Sequence, residues 1–176
     1  TASGNGIEDL LKTLPGTFSR NELTSQYSVR GGNYDENLVY VNDFEIYRPF
    51  LVSSGQQEGL SFTNLDLTDK LSFSGGGFEA KYGDKMSSVL NIKYKTPTKF
   101  HGSIMASILG VNAHVEGAAY SKKDEAKENA KFTYLVGVRY KSNGYLLGSL
   151  DKKGEYNPNF FDAQADFHIK PNIKHD

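Results

Sequence analysis

The tightest constraint on this chain lies in residues 27–50, YSVRGGNYDENLVYVNDFEIYRPF, where two alternating runs stand only two residues apart. Leu38 to Val41 and Phe44 to Tyr47 alternate in the manner of strands, and Asn42-Asp43 separates them. A two-residue hairpin loop needs backbone in the left-handed region, and Asn and Asp are the non-glycine residues that best tolerate it. A β-hairpin is therefore predicted. Just upstream, Tyr27 and Val29 point one way and Ser28 and Arg30 the other, the period of a half-buried strand. Gly31-Gly32 is expected to stop that strand, since glycine takes positive φ without strain.

The remaining N-terminal segments fit around this hairpin. Ile7, Leu10, Leu11 and Leu14 share one helical stripe, with Asn5 as a cap, Glu8 as its reciprocal partner and Pro15-Gly16 as the stop. Residues 51–68 lack a period and read as loop with at most one helical turn. Lys70 to Phe73 alternate before Gly75-Gly76-Gly77, and in 88–95 Leu90, Ile92 and Tyr94 oppose Val89, Asn91, Lys93 and Lys95. Together these predict a small mixed sheet with short helices. Pro97 lies between two strand-forming runs and marks a boundary between residues 1–97 and 98–176.

Past that boundary the alternation lengthens. Residues 102–109 are small or apolar on both faces, and in 111–117 Val111, Ala113 and Val115 oppose Asn112, His114 and Glu116. In 131–141, Phe132, Tyr134, Val136, Val138 and Tyr140 oppose Thr133, Leu135, Gly137, Arg139 and Lys141. In 161–170, Phe161, Ala163, Ala165, Phe167 and Ile169 oppose Asp162, Gln164, Asp166, His168 and Lys170. Segments of about ten residues with one apolar face, one polar face and aromatics near the ends match transmembrane β-strands between lipid and a wet lumen. An amphipathic soluble sheet shows the same pattern. Gly110 is a candidate for the turn between the first two strands, and 118–130 and 142–158 read as polar loops, the first with room for a helical turn.

Three motifs in order resemble the plug domain of a TonB-dependent outer-membrane receptor: SVRGG at 28–32, ENLVYVNDFEIYRPF at 36–50, and GGGFEAKYGDKMSSVLNI at 75–92. Arg30-Gly31 and Tyr82-Gly83 fit the family pattern, Asn42-Asp43 replaces its usual Asp-Gly, and Lys85 stands where many members carry Arg. The resemblance implies an α+β plug over 1–97, followed over 98–176 by four antiparallel strands opening a transmembrane β-barrel. It implies a plug that occludes the lumen and helps bind and gate a nutrient: an iron chelate, a cobalamin or an oligosaccharide. Its partners are then outer-membrane lipid, the remaining barrel of the same receptor and TonB, which is expected to grip a box upstream of Thr1. Arg30 and Lys85 become plug–barrel contacts, with Arg30 set against carboxylates of the inner wall. A barrel of about 22 strands at 9–11 residues each needs far more chain than lies between Pro97 and Asp176, so this sequence is expected to be a piece of the receptor. With no initiator Met, signal peptide or apolar run of spanning length, its start at Thr1 reads as a mature or trimmed end.

Composition excludes several alternatives. A net charge of −1 gives no electrostatic case for nucleic acid, and the absence of cysteine removes disulfides and thiolate metal sites. No GxSxG elbow marks a nucleophile, and the triple glycine lacks the Gly-Lys-Ser/Thr that completes a phosphate loop. His101, His114, His168 and His175 have no HxxxH or HExxH spacing, so His114 and His168 read as solvated; no enzyme, metal site or cofactor is expected. Asp35-Glu36 lacks the surroundings of a calcium loop and reads as solvated. Tyr34, Asp35, Tyr47, Arg48 and Phe50 gather at the ends of the hairpin region. Aromatic faces beside a carboxylate and a guanidinium suit a polar ligand with an apolar side, such as a sugar or an iron chelate; Tyr47 and Phe50 could equally cap a small core. The resemblance places these residues on apical loops. The competing function is a self-contained secreted or periplasmic β-rich carbohydrate-binding module.

Overall fold

The computed structural model describes residues 7–19, 26–47, 49, 62–108, 110–120, 130–142 and 159–170. The predicted hairpin forms β3 (Asn37–Val41) and β4 (Phe44–Glu45), turned by Asn42 at φ 48° and Asp43 at φ 69°. Both turn residues have positive φ, the type I′ requirement that matches the right-handed twist of the flanking strands. β3 pairs in parallel with β6 (Ser88–Tyr94), which pairs antiparallel with β5 (Thr68–Ser74), giving the mixed sheet β4-β3-β6-β5. Two short strands, β1 (Thr17–Phe18) and β2 (Ser28–Val29), form a separate ribbon.

One face of the mixed sheet makes the core. Val39, Val41, Leu90 and Ile92 pack with Ile7 and Leu11 of α1 (Ile7–Lys12) and with Tyr27 and Val29, and Phe62, Leu71 and Phe73 close its margin. The helix is shorter than its sequence stripe. Leu10 and Leu14 are exposed, and Thr13 N and Leu14 N donate to the carbonyls of Leu10 and Leu11, tightening the last turn before Pro15. Asn5 and the side chain of Glu8, the expected capping pair, lie outside the described part. With one six-residue α-helix and two 3₁₀ turns against ten strands among the described residues, the chain is mostly β rather than α+β.

The turn after β2 also departs from expectation. Positive φ falls on Arg30 (49°) and Gly31 (85°), so Gly32 serves another purpose. A Cβ on Gly32 would lie 1.7 Å from Ser87 Oγ and 2.8 Å from Glu36 Oε2, whereas the bare backbone lets that pair meet at 3.0 Å. The 51–68 loop contains the one helical turn allowed for it, the 3₁₀ turn Leu65–Leu67 capped by Asn64 Oδ1; residues 51–61 lie outside the described part.

A second sheet is an antiparallel meander of β7 (His101–Ser107), β8 (Gly110–Tyr120), β9 (Ala130–Ser142) and β10 (Asn159–Ile169). Gly110 opens β8, and β8 runs three residues beyond its expected end. The register places Ile104, Ala113, Val138 and Ala163 across one row of the sheet. No described helix is long and apolar enough to cross a membrane, which says nothing of crossing by strands.

Candidate functional site

The two sheets meet through the polar face of the second. Asp162, Gln164 and Asp166 sit at every second position of β10, so all three point the same way. Arg139 of β9 lies directly opposite Asp162. Its Nε and Nη2 donate to Asp162 Oδ2 at 3.0 and 2.7 Å, its Nη1 donates to the Thr63 carbonyl at 2.7 Å, and its Nη2 reaches the Phe62 carbonyl at 3.1 Å. Gln164 Nε2 donates to the same Phe62 carbonyl at 2.7 Å, and Gln164 Oε1 accepts from the Tyr94 phenol at 2.6 Å. The Arg139 and Asp162 side chains are only 8% and 11% exposed, so each buried charge has its opposite and further polar partners. Removing one partner from such a pair costs about 3–5 kcal/mol.

A glycine completes the docking. A Cβ on Gly137 would stand 2.8 Å from Asn64 Nδ2 and 2.9 Å from Leu67 Cδ2, so the Leu65–Leu67 turn seats directly on the β9 backbone. Further along, the hairpin turn is tied to both sheets: Asn42 Nδ2 donates to Asp166 Oδ2 at 2.9 Å, and Asn42 Oδ1 accepts from Tyr94 N at 3.0 Å. Burial pushes the Tyr94 phenol up to about 12; the Arg139 charge opposes this, and the Asp162 and Asp166 carboxylates add to it. The phenol therefore stays a donor across the neutral range.

The other face of the second sheet is apolar and uncovered. Ile104, Phe161, Phe167 and Ile169 are exposed, and Val111, Val115, Val138 and Tyr140 are partly so. Phe132 and Phe167 stack at 6.2 Å toward one end of the strands, and Tyr140 and Phe161 pair across the sheet toward the other. Aliphatic side chains fill the rows between. Aromatic residues flanking an aliphatic band are the pattern seen on the outward faces of membrane barrels.

Residues 2–89 match the family described as TonB-dependent Receptor Plug Domain. The chain belongs to that family. Among solved structures, it is similar to a mutant of the ferric enterobactin receptor from Pseudomonas aeruginosa, crystallised in complex with enterobactin, at 17% identity and a TM-score of 0.50. The alignment covers 82% of this chain and 24% of that receptor, so the chain spans about a quarter of that receptor's length. None of the curated proteins compared with the sequence matches it.

Of the expected ligand residues of the plug, Tyr34, Asp35 and Tyr47 fall at one end of its sheet. Tyr34 and Asp35 are exposed in the 3₁₀ turn Tyr34–Glu36, which leads into β3. Tyr47 is 81% exposed, and the bond from Ile46 N to the Val39 carbonyl brings it back to that same end. Arg48 and Phe50 lie outside the described residues. Buried Asn37 fixes the turn, donating to the Tyr27 and Tyr34 carbonyls and accepting from Ser88 Oγ. Lys85 Nζ donates to the Asp35 carbonyl, which places Lys85 beside the candidate ligand residues. Arg30 is exposed, with its guanidinium against Gly76 and its stem against Gly16.

The side chains that join the sheets by hydrogen bonds include Asn42, Tyr94, Arg139, Asp162, Gln164 and Asp166, none of which the sequence singled out for that role. A signal was there: Arg139 and Asp162 are charges set within the polar faces of strands whose opposite faces are aromatic and aliphatic. His114 corrects an expectation. It is 8% exposed rather than solvated, because its face of β8 turns inward.

Proposed function

We propose that residues 1–97 are the plug and 98–176 the opening wall strands of an outer-membrane receptor that imports a nutrient. The single observation carrying this reading is the inverted second sheet: its charged face clasps the plug through Arg139 and Asp162, and its apolar, aromatic-ended face is left outward. The wall in this reading continues into the rest of the barrel, the plug closes the lumen, and TonB pulls on the plug's N-terminal side. Tyr34, Asp35, Tyr47, Arg48 and Phe50 present the ligand surface on the extracellular side, and Arg30 and Lys85 face wall strands beyond these four. The ligand is an iron chelate, cobalamin or oligosaccharide; the aromatic and charged groups at that end favour a chelate with aromatic arms.

The intact receptor tests this. It should remain in the outer membrane after an alkaline carbonate wash and bind one ligand class from a panel of ferric chelates, cobalamins and oligosaccharides. Tyr47→Ala should weaken that binding about tenfold or more, as loss of an aromatic anchor does. A receptor released by the wash, or binding unchanged in Tyr34→Ala and Tyr47→Ala together, would overturn the assignment.

A further inference from the structure

The β7–β8 hairpin brings together a set of side chains that carry no metal-binding spacing in the sequence. β7 and β8 pair so that His101 lies opposite Glu116 and Ser103 opposite His114. These four residues share one face, because cross-strand partners and positions two residues apart lie on the same side of a sheet. One ligand atom from each of His101, His114 and Glu116 lies within 4.8 Å of the others. His101 Nδ1 stands 3.8 Å from Glu116 Oε1, and the two imidazole rings are 5.4 Å apart.

The burial pattern points to a ligand. His114 is 8% exposed, and its Nε2 is buried with no hydrogen-bond partner among the described residues. Its other nitrogen, Nδ1, is held by Ser103 Oγ at 2.8 Å. In the tautomer in which Ser103 Oγ accepts Nδ1–H, Nε2 carries the lone pair, the arrangement by which a second hydrogen-bond partner orients a metal-binding imidazole. Glu116 Oε2 is likewise buried without a hydrogen bond, and Lys95 Nζ approaches it only to 4.0 Å. A buried imidazole nitrogen without a partner is costly unless something binds it, and this is the orphaned group that the site would satisfy.

We infer that His101, His114 and Glu116 form a binding site for a borderline divalent transition-metal ion of the zinc type. Two imidazoles and one carboxylate are a three-ligand set that leaves a fourth, open position, and nitrogen donors favour such ions over calcium or magnesium. Bonds of about 2.0–2.1 Å put tetrahedral ligand atoms about 3.3–3.4 Å apart. Closing from the present spacing needs the ligand atoms to draw together, and His101 has room to move, its side chain being 61% exposed. Glu116 can bind through Oε1, which faces His101, while Oε2 stays toward Lys95. The site needs only β7 and β8, so it does not depend on which nutrient the receptor carries.

The test is zinc titration of the intact, detergent-purified receptor against a chromophoric chelator, comparing wild type with single variants. Wild type should hold one more equivalent than His101→Ala and Glu116→Gln. His168→Ala, which removes an exposed histidine 3.1 Å from Asp166 on β10, should leave that equivalent in place. Ser103→Ala should weaken the same site about tenfold, the effect of losing an outer-shell partner. His101 is exposed, so its variant separates loss of a ligand from loss of fold. Equal stoichiometry and affinity in wild type and His101→Ala, or loss of the ion in His168→Ala instead, would overturn the site.

Discussion

In the plug sheet, Val39, Val41, Leu90 and Ile92 are covered by α1 and the β2 turn, whereas in the wall sheet Ile104, Phe161 and Ile169 are 81%, 73% and 71% exposed. Both sheets alternate apolar and polar residues, yet they use the alternation in opposite senses. The plug turns its apolar face onto itself, because water surrounds it. The second sheet turns its polar face onto the plug, because that interface supplies hydrogen bonds, and leaves its apolar face uncovered, as the proposed contact with hydrocarbon requires. Period two establishes that a strand has two faces; the medium on each side decides which face is buried.

Three consecutive residues of β9 let the comparison be broken one side at a time. Arg139→Ala should have the largest effect, about 3–5 kcal/mol, because it leaves Asp162 buried and unpaired. The loss should appear as faster amide hydrogen exchange in residues 62–68 of the intact receptor. If those amides are unaffected, the clasp does not hold the plug. Val138→Arg faces the other way and should cost about 2–4 kcal/mol of folding into lipid vesicles, with little change in exchange at the plug. A neutral Val138→Arg would mean that this face never meets hydrocarbon.

Gly137→Ala crowds Asn64 and Leu67 and should open the 62–68 turn by about 1–3 kcal/mol while leaving membrane insertion intact. The smallest effect is alkaline. Tyr94 has its phenol raised from 10.0 to about 12, so its share of plug–wall stability is complete below pH 10 and is lost as pH rises toward 12. An ultraviolet titration of wild type minus Tyr94→Phe should show one phenol ionising near pH 12. Ionisation near 10 would place Tyr94 in solvent, away from Gln164.

Much of the plug was legible because its signals are local. Asn42-Asp43 encodes a hairpin through the backbone angles those two residues tolerate, and Leu90 and Ile92 encode a buried face by their spacing. The helix was overread, since a stripe of four apolar residues does not reveal that a sheet this small covers only Ile7 and Leu11. The turn at Arg30-Gly31-Gly32 was misassigned for a related reason: the need for a bare Gly32 comes from Ser87, more than fifty residues away.

The candidate ligand residues were legible as types at the ends of strands, and the structure brings Tyr34, Asp35 and Tyr47 to a common end. The Arg139 clasp and the His101–His114–Glu116 group were not legible. Alternation gives the face on which a side chain lies, but register decides what it meets there, and a slip of one residue would send Asp162 away from Arg139. The amino-acid order by itself determined the strands, the hairpin turn and the two-faced character of the second half. Tertiary structure alone decided which charges pair across the plug–wall junction, because those contacts join residues distant in the chain, and strand register decided which histidines converge, because alternation leaves the register open.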